Sequence, residues 1–84
     1  MQYKRVLGCI LTKHEGKFII IKNSRFFTIN ESGARFYELC NGNRSMSEIV
    51  DILSRFYDMD PQSLLIDLEK YAKTMLELGV LKLK

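Results

Sequence analysis

Residues 29–50, INESGARFYELCNGNRSMSEIV, hold the change of period that decides the fold. Up to Ile29 the apolar residues run and alternate as they do in strands, and from Asn30 they recur at helical spacing. Asn30 is suited to cap a helix whose apolar positions are Ala34, Phe36, Tyr37 and Cys40, with Leu39 beside them. The run NGN at 41–43 stops that helix, with Asn41 or Gly42 suited to the left-handed conformation. Ser45 and Glu48 then stand three residues apart, the spacing of a capping box. A second helix is expected behind it, with Ile49, Val50, Ile52, Leu53, Phe56 and Tyr57 as its apolar side.

Working outward, the chain before Ile29 reads as three short strands, at about 5–12, 17–22 and 25–29. HEGK at 14–17 is a turn with Gly16 placed for positive φ, and Asn23-Ser24 is another. Alternation sets Phe18 and Ile20 on one face of the sheet and Ile19 and Ile21 on the other. One face must cover the helices, and the other is left to be wrapped by the chain, a partner or a second copy. After Tyr57, Asp60 is a cap followed by Pro61 at the first helical position, so a third helix starts there and runs to Gly79. Residues 80–84 leave as a short extended tail. The helices are expected at about 31–41, 46–57 and 61–78.

At 100° per residue, Leu64, Leu68, Tyr71, Ala72 and Met75 form the core stripe of the third helix, widened by Leu65, Leu76 and Leu78. Glu69, Lys73 and Glu77 lie opposite. Ile66 is an apolar side chain on the polar side, next to Lys70 at i+4. Asp67, Lys70, Tyr71 and Thr74 make a mixed stripe at the edge of the core. Read as a site, Ile66 would be the floor of a shallow groove.

At 84 residues, 46% apolar and 27% charged, the chain has the size and composition of one small globular domain, read here as 1–84. It contains no run near the ~18 apolar residues of a membrane span. Its start lacks a small-residue cleavage site, and we read the protein as cytoplasmic. The net charge of +3 is uneven: Lys4, Arg5, Lys13, Lys17, Lys22 and Arg25 face Glu15 alone in the first third. A partner touching that third would be acidic, either nucleic acid or an acidic peptide.

No residue set points to catalysis. His14 sits in an expected turn with no nucleophile beside it, and Cys40 ends a helix with no base nearby in sequence. Cys9 and Cys40 with one histidine do not make a zinc site, and both thiols read as small buried hydrophobes, not as a disulfide. We expect no catalytic residue, no metal and no cofactor.

Three strands followed by three helices give an α+β, winged-helix-like arrangement with its antiparallel sheet first. On INESGARFYELCNGNRSMSEIVDILSRFY and DPQSLLIDLEKYAKTMLELGVLKL, about residues 17–83, the chain resembles the PqqD-like family. These are the recognition elements that bind leader peptides of ribosomally made, post-translationally modified peptides (RiPPs). Mild departures are Ile29 before the Asn, the Phe36-Tyr37 pair, and Asn41. The resemblance implies a leader peptide added as a strand on residues 25–29 and lying against the third helix, a mode that uses main-chain bonds for register and pockets for choice. Arg25, Phe26, Phe27, Thr28 and Ile29 would form the strand side of the groove. Ile66, Asp67, Lys70, Tyr71 and Thr74 would form the helical side. Arg25 and Lys70 are candidates to pair with an acidic leader residue, whereas Phe27, Ile29 and Tyr71 read equally well as core. The partners implied are the leader of a precursor peptide and a modifying enzyme, of the radical SAM class by family analogy. A homodimer through the sheet is compatible with this.

The rival readings are a DNA-binding winged helix and a dimerising scaffold. A recognition helix needs basic or amide side chains in its first turns. Here those turns read PQSLLIDLE, with Gln62 alone and no Lys or Arg before Lys70, which argues against DNA.

Overall fold

The computed structural model describes residues 2–84. Its elements are β1 (Gln2–Arg5), β2 (Ile10–His14), β3 (Lys17–Lys22), β4 (Arg25–Ile29), α1 (Glu31–Leu39), β5 (Asn41–Ser45), α2 (Met46–Tyr57), α3 (Pro61–Leu78) and β6 (Leu81–Leu83). The architecture is α+β, with three helices and two three-stranded antiparallel sheets, ordered β5-β1-β6 and β2-β3-β4.

The single leading strand expected at 5–12 is therefore wrong. The chain leaves β1 at Arg5 and turns through residues 6–9, where Gly8 takes φ +88°. It re-enters a different sheet at Ile10. A β-compatible run carries no record of which sheet each half joins, and the partners of β1 lie far away at 41–45 and 81–83. The first helix also ends earlier than expected, at Leu39, with the Cys40 N–H bonded to the Tyr37 carbonyl. Gly42 is left-handed at φ +84°, but inside β5 and not at a helix end. The register of β5 on β1 shifts between Gln2 and Lys4 at that point, an irregularity a glycine accommodates. The extended tail is β6, paired with β1.

The helix signals act as local chemistry dictates. Asn30 caps α1, accepting from Gly33 N–H at 2.9 Å. Ser45 Oγ accepts from Glu48 N–H at 3.1 Å, while Glu48 Oε1 accepts from Ser45 N–H at 3.0 Å. The carboxylate of Asp60 takes the Ser63 N–H, with Pro61 opening α3. Gly79 ends α3 at φ +76°, and the Val80 N–H returns to the Met75 carbonyl, closing the helix end.

The core joins all these pieces. Phe36, Tyr37, Ile49, Leu53, Leu64, Leu68, Ala72, Met75, Val80 and Leu81 are buried with Ile20, the one fully buried side chain from the second sheet. Tyr37 resolves its buried hydroxyl by donating to the Val80 carbonyl at 3.1 Å, and burial pushes its pKa up to about 12. Cys9 and Cys40 are both free thiols, and burial pushes Cys40 up to about 12. Among the described residues no helix is long and apolar enough to cross a membrane.

Candidate functional site

The sheet order leaves one side of β4 unpaired. The hairpin turn before it decides which main-chain groups face that side. Asn23 and Ser24 have φ of 48° and 69°, the paired positive values of a type I′ turn. The residues flanking such a two-residue turn, here Lys22 and Arg25, exchange both N–H···O bonds, and bonded pairs then alternate with unbonded ones. Arg25, Phe27 and Ile29 therefore use their main-chain groups on β3. The N–H and C=O of Phe26 and Thr28 point to the open edge.

Beside this edge runs the second half of α3. Two polar ties set the distance. At one end Tyr71 Oη accepts from Asn30 Nδ2 at 2.6 Å and lies 3.1 Å from Ser32 Oγ. At the other, Lys22 Nζ donates to the Gly79 carbonyl at 3.0 Å. The two spans match. Arg25 to Ile29 covers roughly 13 Å at strand rise, and Tyr71 to Gly79 roughly 12 Å at helix rise. The strand therefore runs alongside residues 71–79, in the opposite direction to the helix.

Between the ties lies a groove of about 240 Å³. Its strand wall is Phe27, Thr28 and Ile29, its helix wall Tyr71, Thr74, Met75 and Leu78, and Ile20 and Val80 lie behind. The lining is mainly apolar, with Thr74, Asn30 and the Thr28 main chain as its polar points. The Arg25 guanidinium lies 5.4 Å from the centre of the Phe27 ring, on the same face of the strand. Among the described residues neither Arg25 nor Lys70 forms an ion pair with a carboxylate.

The structure thus brings together Phe27, Thr28, Ile29, Tyr71 and Thr74 of the expected site, with Arg25 next to the wall. It separates the others. Phe26 faces the far side of the sheet and is 67% exposed. Ile66 is 56% exposed and does not floor the groove. Asp67 and Lys70 also stand outside the lining. All three belong to the half of α3 that precedes Tyr71, and Tyr71 already meets the residue after the end of β4. Met75 and Leu78 hold the core stripe expected of them, Met75 buried and Leu78 packed on the core, and they also wall the groove. The signal that could have found them is the match in length between a five-residue strand and two turns of helix ending at Gly79.

The family described as coenzyme PQQ synthesis protein D (PqqD) matches residues 9–81, most of the chain. The chain belongs to the PqqD family. Among solved structures, this PqqD-family chain is similar to the PqqD truncation of Methylobacterium extorquens PqqCD, described as a functional and stand-alone RiPP recognition element. The TM-score is 0.84 at 23% identity, covering 95% of this chain and 87% of that one. It is also similar to TbiB1 in complex with the TbiA(beta) leader peptide, with a TM-score of 0.77 at 17% identity and 94% of both chains covered. No curated protein sequence matches it. At these identities the two structures speak for the fold.

Proposed function

We propose that this chain is a non-catalytic recognition domain. It binds the leader of a ribosomally made precursor peptide as a strand added to β4 and presents it to a modifying enzyme. The observation that carries the reading is the open edge of β4, with Phe26 and Thr28 N–H and C=O facing outward, placed against an apolar groove of matching length. Membership of the PqqD family supports it, as do the two similar structures, one a recognition element and one a leader-peptide complex.

Four main-chain bonds contribute roughly 0.5–1.5 kcal/mol each. Two apolar anchors entering the groove add roughly 1.5–3 kcal/mol each. Ordering a flexible leader removes several kcal/mol, so a micromolar dissociation constant, worth about 8 kcal/mol, requires bonds and anchors near the top of these ranges. On this reading the whole chain, 1–84, acts as one recognition domain in the cytoplasm, where precursor peptides are made. The enzyme it serves is of the radical SAM class by family analogy. The winged-helix-like description belongs to the same reading, but the DNA-binding use of such a fold does not. The exposed side of the first turns of α3 offers Gln62, Ile66, Asp67 and Glu69, with no cation before Lys70.

The test is an amide NMR titration with the synthetic leader of the precursor encoded nearest its gene. Saturable shifts confined to 25–29 and 71–79 are expected. No shift at hundreds of micromolar peptide, with a DNA duplex moving 61–70 instead, would replace this reading with the regulator.

A further inference from the structure

The far face of the β2-β3-β4 sheet carries a continuous apolar row that the fold leaves uncovered. Ile10 pairs with Ile21 and Ile21 with Phe26, so the three side chains stand side by side across the strands. Ile10 is 59% exposed and Phe26 67% exposed. The adjacent row is Thr12, Ile19 and Thr28. The apolar row stops at Phe26, on the strand whose other side is open.

We infer that Phe26, continued by Ile21 and Ile10, is a second selection surface, which reads the outward-pointing residue of the peptide strand added at β4 and favours an apolar or aromatic side chain there. This rests on the proposed peptide-binding reading and extends it to the opposite face of the sheet. Cross-strand partners share a face, and side chains alternate along a strand. A strand bonded to the outward groups of Phe26 and Thr28 sets the residues opposite Arg25, Phe27 and Ile29 on the groove side. Those opposite Phe26 and Thr28 stand on the far face. The residue opposite Phe26 becomes the fourth member of the Ile10–Ile21–Phe26 row and covers part of the exposed ring. The groove selects one set of alternate residues and the far face one member of the other set. A peptide is thereby read on both of its sides, and a shift of register by one residue exchanges the two sets.

A random-peptide phage library is selected on the immobilised full-length protein and, separately, on Phe26→Thr, which keeps a β-compatible residue and the same main-chain groups. Amide spectra confirm that the variant is folded. Wild-type binders are expected to alternate, with apolar residues at groove positions and an aromatic or β-branched residue at the position opposite Phe26. Binders to the variant keep the groove pattern and lose the outward preference. In synthetic peptides, replacing that outward residue by Ser weakens binding to the wild type by about two- to tenfold and binding to Phe26→Thr hardly at all. Equal outward preference on both proteins overturns the inference and leaves the groove reading standing. Sedimentation showing that the free protein dimerises, and that Phe26→Thr abolishes the dimer, overturns it in favour of a second copy on this face. A library that yields no binder on either protein overturns the peptide-binding reading and this inference with it.

Discussion

Proline placed at alternate positions of β4 separates the edge that folds the protein from the edge that is free. At Thr28 the N–H points away from β3, so Thr28→Pro removes no bond of the β3–β4 ladder, and proline is tolerated on an edge strand in that orientation. The preceding Phe27 is already extended, as a residue before proline must be. At Phe27 the N–H bonds to Ile20, whose side chain is 1% exposed. Phe27→Pro therefore strands a carbonyl in the interior and removes a ring packed on the core. Thr28→Pro should unfold in urea within about 1 kcal/mol of the wild type, and Phe27→Pro should lose several. In peptide binding the order of interest reverses. Thr28→Pro takes away one of four donors and acceptors and leaves a carbonyl of the added strand unpaired. At about 1–3 kcal/mol that weakens binding roughly 5- to 150-fold. Calorimetric titration with a leader peptide and urea unfolding measure both quantities on the same samples. Unchanged affinity in folded Thr28→Pro would refute addition at this edge. A Thr28→Pro as unstable as Phe27→Pro would refute the assignment of which residues face β3.

Tyr71→Phe removes the hydroxyl that ties α3 to Asn30 and Ser32, and should cost about 1–2 kcal/mol in urea unfolding while loosening one end of the groove. The Glu48 carboxylate is held below its usual pKa by the Ser45 backbone N–H and then by its hydroxyl. Its contribution to stability is complete above the ordinary carboxylate range and is lost as pH falls through the lowered value. Glu48→Gln should flatten that part of the acid unfolding curve. Lys4 and Lys82 stand directly opposite each other on β1 and β6, and Lys82→Glu should raise stability by roughly 0.2–1 kcal/mol, more at low salt. With its thiol pushed up to about 12 by burial, Cys40 should resist alkylation in the folded protein until after the half-buried Cys9 has reacted, as peptide mapping by mass spectrometry would show.

What the sequence disclosed follows the range of the interactions involved. The Ser45–Glu48 capping box, Asp60-Pro61, the glycine at 79 and the Asn23-Ser24 turn act within a few residues, and the start of α2 and both ends of α3 fall where those signals stand. The split of the leading strand depends on the pairing of Lys4 with Asn41 and with Lys82, and no local pattern around Gly8 encodes that. NGN reads as a helix stop, yet α1 has already ended at Leu39, and the same residues pair as β5. The site was half legible for the same reason. Alternation alone puts Phe27 and Ile29 on one face, whereas the half of α3 that lies beside β4 is set by Tyr71 meeting Asn30 and Lys22 meeting Gly79. Ile66 looked like a site because it broke a polar face, but it sits on the wrong half of the helix. Met75 and Leu78 read correctly as core, but their second role as walls was hidden because a groove wall and a core stripe have the same periodicity.

Amide hydrogen exchange of residues 25–29, read by NMR with and without saturating leader peptide, shows whether a peptide strand pairs with β4. In the free protein Arg25, Phe27 and Ile29 should exchange slowly and Phe26 and Thr28 fast, and the peptide should slow the latter two to the level of their neighbours. Phe26 and Thr28 still exchanging fast at saturation would contradict strand addition at β4.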